Sequence, residues 1–430
     1  MTERLLQYIW QFQCYNHSAL TTEEGELIRV IHPGSLNSNQ GPDFLDARVI
    51  IGTATWAGSV ELHILSSGWV DHQHSADKNY DNVILHVVWQ QDEDLRLPFQ
   101  TLVLENRVSK LLLNKYQELM QDSGFIPCEN SICKVDPITW ASWKDRLLAE
   151  RMQARTAIVL GFLKENNNHW EECFWWLIAK NFGLKLNSEA FLSLARSISL
   201  NVLAKHKNQL QQLEAILFGQ AGLLERNFVD DYPKLLQREY RLLKRKYGLK
   251  PIQIPLLFMR MRPSSFPSVR LAQLAALIHD KVHLFSLIRS SETLNEVREI
   301  LDVTANDYWH YHYTFDEISV FKKKSLGMVM TGNIIINTII PLVFAYGVYN
   351  SDDSFKARAL EWMELCRAEK NSVTGGFEAL GIAQNNAFDS QALLQLKNEY
   401  CNKKRCLECA IGNRILNSKV NSGQNDRPFY

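Results

Sequence analysis

Residues 41–65, GPDFLDARVIIGTATWAGSVELHIL, decide the fold of the first third of the chain. FLDARVII (Phe44–Ile51) is a β-type run that ends at Gly52, and residues 55–65 follow with Trp56, Val60, Leu62 and Ile64 on one alternating face. This spacing predicts two strands joined by a tight turn. Successive side chains of a strand point to opposite sides. Glu61 and His63, two apart, therefore share the face opposite Val60, Leu62 and Ile64, while Asp43 stands at the start of the preceding strand.

Upstream, LIRVI (27–31), closed by Pro33-Gly34, reads as another strand. ERLLQYIWQFQCY (3–15) places Leu5, Leu6, Ile9, Trp10 and Phe12 at helical spacing. Downstream, the polar stretch 69–80 has room for a short helix, and NVILHVVW (82–89) is a continuous apolar run suited to a strand covered on both faces. The predicted order is α-β-β-β-α-β, an α/β domain over residues 1–120. Residues 121–139, with Ser123, Gly124, Pro127 and Pro137, read as a linker. From Trp140 the pattern is helical to about residue 415, a large all-α region without a fixed-period repeat, and 416–430 is a polar tail.

With 46% hydrophobic and 22% charged residues the chain is globular, which excludes wholesale disorder, a coiled-coil rod and a collagen-like chain. Lys+Arg and Asp+Glu both number 47, yet the balance is uneven along the chain. Residues 1–133 hold 8 basic and 17 acidic residues, against 39 and 30 in the remainder, so an acidic head precedes a basic body. The start MTERLLQYIW lacks the basic and apolar regions of a signal peptide, so a cytoplasmic location is expected. The most apolar stretch, 334–346, carries Asn337 and Pro341 and reads as a buried helix, with no membrane partner expected. The eight cysteines are expected as thiols.

Two acids on adjoining strands, Asp43 and Glu61, can meet over one divalent cation, and oxygen ligands suit Mg²⁺ or Mn²⁺. Such an ion activates water and neutralises charge on a phosphate. Beyond them lies W-x-x-H-x-H-x-x-D-x-x-Y: Trp69, His72, His74, Asp77 and Tyr80. With His63 and His86, four of the twelve histidines fall within 24 residues, and imidazole suits Zn, Fe or Ni. The competing reading makes His72 and His74 solvated helix-start residues and His86 a core histidine.

In the helical region, residues 234–250 (KLLQREYRLLKRKYGLK) hold seven Lys/Arg and one Glu. Arg241, Lys244, Arg245 and Lys246 on such a helix would sit on phosphates. RMRPSSFPSVRLAQLAAL (260–277) sets Arg260, Arg262 and Arg270 around two prolines, with Ser265 or Ser268 placed to cap the next helix and form an anion site. Cys401, Cys406 and Cys409 form C-x4-C-x2-C, able to hold Zn²⁺ or an iron–sulfur cluster. The fourth ligand is open among Cys366, Cys128, Cys133 and a histidine. No GxxxxGK[ST], GxGxxG, GxSxG or HExxH occurs.

The strand order, with Pro42-Asp43 and then Glu61-x-His63 on the next strand, resembles the PD-(D/E)XK nuclease core. The resemblance implies that Asp43 and Glu61 are the metal-binding acids. His63 stands where that family usually has a Lys that orients or deprotonates the attacking water. His72, His74 and Tyr80 would touch the phosphate or support the site. Some such nucleases carry an iron–sulfur cluster on one remote and three clustered cysteines. The chain also resembles an uncharacterised bacterial family of unknown function in residues 41–44, 60–63, 72–74, 83–88, 262–274 and 401–412. The expected function is metal-dependent hydrolysis of DNA or RNA. The alternatives are a non-catalytic scaffold or nucleic-acid-binding protein on a degenerate nuclease fold, and a Zn or Fe hydrolase or oxidoreductase built on the histidines.

Overall fold

A computed structural model describes residues 1–418 except Ser38, Asp122, Ser123, Arg260 and Val282. Most of the expected tail, and Arg260, lie outside the described residues. The chain divides into two compact units: Met1–Trp143 together with the C-terminal segment from Leu396, and Lys144–Gln395.

The first unit is built on a mixed sheet of β1 (Ile28–His32), β2 (Ser35–Leu36), β3 (Phe44–Ile51), β4 (Ala54–Leu65), β5 (Val83–Gln90) and β6 (Gln100–Val103). The order is β1-β3-β4-β5-β6, with β2 also on β3. β1, β3 and β4 run antiparallel, whereas β4, β5 and β6 run parallel. The expected order of helix and four strands is present; β2 and β6 are additional. Trp56, expected on the core face, is 49% exposed. β5 joins β4 only from Ser59 onward, so the first half of β4 has no parallel neighbour beside it. From Val60 to His63 both faces of β4 are covered.

Helix α1 (Glu3–Gln11) is capped by the Thr2 hydroxyl, which accepts from the Leu5 amide, and it buries Leu5, Leu6, Ile9 and Trp10. Phe12 falls just past its end and is exposed. The stretch 69–80 is a short helix α2 (Gly68–Asp71) and two 3₁₀ turns, His74–Ala76 and Lys78–Tyr80. α3 (Lys110–Gln121) and α4 (Pro137–Glu165) follow.

The C-terminal cysteine motif was expected within the helical region 140–415, but it belongs to this α/β unit. The reason is the amphipathic helix Ala410–Asn417, which buries Ile411, Ile415 and Leu416. Asn417 Nδ2 donates to the Tyr8 hydroxyl at 2.9 Å, and Lys115 Nζ donates to the Ile415 carbonyl at 3.3 Å.

Among the described residues the second unit is helical apart from the two-stranded ribbon His312–Thr314 and Glu317–Ile318 and an isolated bridge between Thr304 and Ser325. Its core gathers helices such as Trp170–Phe182, Leu210–Gln220 and Pro267–Asp280 around large side chains including Phe182, Phe218 and Trp309. One helical run, Met328–Asn350, is long and apolar enough to cross a membrane, with 61% of its apolar window buried within the protein. Pro341 lacks the N–H that a continuing helix needs. The preceding π-helical turn, Ile335–Ile339, lets the helix pass it.

Candidate metal centre

β4 runs through the middle of the sheet, so Glu61 and His63 are 5% and 2% exposed rather than solvated. A buried carboxylate needs donors. Glu61 Oε2 accepts the Asp43 amide at 2.9 Å, and Asp43 Oδ2 accepts the Leu62 amide at 3.2 Å. Gln7 of α1 donates to Asp43 Oδ1 at 2.8 Å. These bonds bring the two acids together across β3 and β4, as expected, and they occupy both Asp43 oxygens. Burial, and then the Asp43 charge, push the Glu61 carboxyl up to about 8; burial raises Asp43 to about 6.

The remaining Glu61 oxygen, Oε1, faces imidazoles: His74 Nε2 at 3.3 Å and His63 Nε2 at 3.8 Å. His63 Nε2 also lies 3.1 Å from His72 Nδ1, and His63 Nδ1 lies 2.9 Å from His86 Nε2. The local chain folds to allow this. α2 stops at His72 because Gln73 adopts φ +56°, and the backbone reverses so that His74 returns to the sheet. His72 is exposed but ends α2, and His74 starts a 3₁₀ turn but is buried, so neither is a solvated helix-start residue. Gly68 makes room: a Cβ there would stand 2.8 Å from the His63 ring. Tyr80 stacks on His74 with ring centroids 3.9 Å apart, and its phenol is pushed up to about 12 by burial. Trp69 packs against His74, His86 and Tyr80 and donates its indole N–H to Ser75. Asp77 caps the second 3₁₀ turn, and its charge acts on His74 and Tyr80.

The donor set fits a transition metal. One donor each from His63, His72 and His74 lie within 4.8 Å of one another. Ligands about 2.1 Å from an ion stand roughly 3.0–3.4 Å apart. The 3.1 Å His63–His72 and 3.3 Å His74–Glu61 spacings match that edge length, and the His63–Glu61 spacing is longer at 3.8 Å. Burial holds His63 down at about 3 and His86 at about 4, and it lowers His74, so these rings are neutral and able to ligate at neutral pH. Among the described residues, His74 Nε2 and His86 Nδ1 have no hydrogen-bond partner. The first of these nitrogens faces Glu61 and is the orphan that an ion would satisfy.

The other expected site residues do not join this cluster. Arg241, Lys244, Arg245 and Lys246 are exposed on the helix Asp231–Tyr247, which buries Leu236, Tyr240 and Leu243. Arg262 is exposed, but Arg270, expected to contact nucleic acid, is 8% exposed and donates to Gln273 at 2.8 Å. The helix Pro267–Asp280 buries that face along its length. Neither Ser265 nor Ser268 caps it: the N-cap is Phe266, and Ser268 bonds the Tyr313 carbonyl instead.

Sequence reading missed Gln7 and Gly68, for which no local pattern exists, and it placed His86 in the core without seeing its partner His63. Comparison with curated proteins and with solved structures finds no match. A family model matches residues 3–372, so the chain belongs to DUF2851, a family described as a protein of unknown function.

Proposed function

We propose that the α/β unit is a divalent-metal hydrolase of the nuclease type, cleaving phosphodiester bonds in DNA or RNA. The observation that carries this reading is the convergence of His63, His72 and His74 on one another, with His63 and His74 beside the free oxygen of Glu61. An imidazole-rich set suits Zn²⁺ better than Mg²⁺ or Mn²⁺. When bound there, the ion supplies a lowered water pKa and a positive charge beside a phosphate. His63, His72, His74 and Glu61 are the residues that would hold it. Asp43 is a positioning residue, because its amide fixes Glu61 while Gln7 and the Leu62 amide hold its carboxylate. Tyr80, protonated at neutral pH, is placed to donate to a phosphate oxygen. His86 sets the orientation of His63. The parallel β4–β5 pair after an antiparallel β1–β3–β4 ribbon supports a PD-(D/E)XK-like core. The exposed cations at 241 and 244–246 support a polyanionic substrate.

A second reading, a non-catalytic scaffold on the same fold, is favoured by one observation: both Asp43 oxygens are already engaged within the protein. One experiment separates the two. The full chain is titrated calorimetrically with Mn²⁺ and Zn²⁺, and nicking of supercoiled plasmid and cleavage of single-stranded RNA are followed with each ion. One bound ion per chain and cleavage reduced at least ~100-fold in Glu61→Gln support the hydrolase, by loss of a direct ligand. Metal binding without cleavage of either polymer supports the scaffold. Absence of metal binding overturns the metal centre itself.

A further inference from the structure

The helical unit holds a cavity of its own. About 240 Å³ of space opens between the helices Trp170–Phe182 and Leu200–His206, the end of Pro267–Asp280 and the start of Leu284–Ser290. Its floor is apolar: Phe174, Trp175, Leu203 and Ile278 are buried, at 0–8% exposure. The Trp175 indole N–H already donates to the Ala195 carbonyl at 3.0 Å, so the ring offers the cavity an apolar surface. The mouth is bordered by Ala204, which is exposed and too small to close it.

The polar groups around this floor divide into engaged and free. Glu171 is the one carboxylate among the described residues that line the cavity. Its two oxygens accept the Phe285 and Ser286 amides at 3.1 and 2.9 Å, so it serves to cap the helix Leu284–Ser290. His169 Nδ1 accepts the Glu172 amide at 3.1 Å. Lys207 and Lys281 are drawn to the same rim by a bond between their helices: His279 Nδ1 donates to the Lys207 carbonyl at 2.5 Å. Both lysines are half-buried, and neither makes an ion pair with a described carboxylate. The rim thus carries two uncommitted positive charges beside an aromatic floor.

We propose that this cavity binds a small apolar carboxylate, a single ring or short branched chain with one anionic head. The space exceeds the ~150 Å³ of an apolar cavity that takes benzene, and so admits a ring with a short acid arm. Packing the ring on Phe174 and Trp175 supplies the hydrophobic gain. The head remains at the rim, where Lys207 and Lys281 donate to it without first breaking an ion pair. A cation would meet these two charges unshielded, because Glu171 is held by backbone amides. The site lies wholly within the unit Lys144–Gln395 and does not depend on the metal centre.

The test is calorimetric titration of the full chain with phenylpropionate and with phenylpropanol, the same body without the charge. One acid molecule per chain is expected, bound at least ~10-fold more tightly than the alcohol, as two charge-assisted contacts at a partly solvated rim would give. Lys207→Gln combined with Lys281→Gln should bring the acid to the affinity of the alcohol and leave the alcohol unchanged. Ala204→Phe, whose ring fills the mouth, should abolish binding of both, with the fold checked by circular dichroism. Acid bound no more tightly than alcohol, or indifferent to the lysine exchange, overturns the charged head. Acid still bound by a folded Ala204→Phe variant overturns the location, and no saturable binding of either compound overturns the site. Should Ala204→Phe unfold, the exchange of the two half-buried lysines still decides.

Discussion

Glu61 and Glu214 are both buried glutamates with a raised pKa, about 8 and about 7, yet they sit in opposite kinds of surroundings. Glu214, in the helix Leu210–Gln220, is 0% exposed. Its Oε2 accepts from the Tyr232 hydroxyl at 2.5 Å and from the Trp309 indole at 3.3 Å. Aromatic rings close round it, with Trp309 stacked on Phe218 at 4.9 Å. Glu61 instead turns one oxygen toward the neutral imidazoles of His63 and His74, and His63 in turn meets the exposed His72. Burial is the largest cause of the rise in both carboxyls; the neighbours decide what the raised group is for. Donors that can only give a hydrogen bond make a structural acid, and neutral nitrogen lone pairs make a cation site.

The largest effect that separates these cases is on stability. Trp309→Ala should destabilise the helical unit by about 3–5 kcal/mol, as for large buried aromatics, read as a shift in its denaturant midpoint. An effect under 1 kcal/mol would mean that Glu214 sits in a loose pocket and not a packed one. Next is pH. Glu214 keeps its proton in the folded protein up to about 7, whereas the unfolded chain releases it near 4.5. The stabilisation is complete below 4.5 and is lost as pH rises through 7, an effect of up to about 3 kcal/mol at pH 9. Glu214→Gln should flatten that loss, and an unchanged pH profile would refute the protonated assignment. Smaller is Gly68→Ala, whose Cβ displaces the His63 ring. It should weaken Mn²⁺ or Zn²⁺ binding by about 10–100-fold, the range for displaced supports of a ligand, with secondary structure intact by circular dichroism. The smallest effect belongs to Arg241→Gln with Arg245→Gln. Stability should change by less than about 0.5 kcal/mol, while the salt dependence of nucleic-acid binding falls by about two phosphate contacts.

What the sequence made legible follows from periodicity. Alternation in 55–65 put Glu61 and His63 on one face, and the helical spacing of Leu236, Tyr240 and Leu243 left the cations at 241 and 244–246 outside. Periodicity is silent where the backbone departs from it. The return of His74 depends on one left-handed residue, Gln73, which no propensity demands. The continuous apolar run around His86 hides which neighbour it faces. Strand β6 is four residues long and follows a polar loop, too short a signal to stand out. Glu214 lies in a helix buried on every side, where charge is the last thing that pattern suggests. Cys128 and Cys133 looked equivalent as ligands until the fold placed Cys128 with Cys401, Cys406 and Cys409 around one small cavity and left Cys133 exposed.

The α/β unit is also discontinuous, and this bears on how the protein is made. Its closing helix, Ala410–Asn417, is synthesised only after the whole Lys144–Gln395 unit has emerged. At roughly 5–20 residues per second, those 252 residues occupy about 12–50 s. Throughout that interval the nascent sheet exists with Tyr8 and Lys115 lacking their C-terminal partners. The helical unit is contiguous in the chain. The order of maturation is therefore the reverse of the order of translation: the part made first is finished last, once the Ala410–Asn417 helix has emerged.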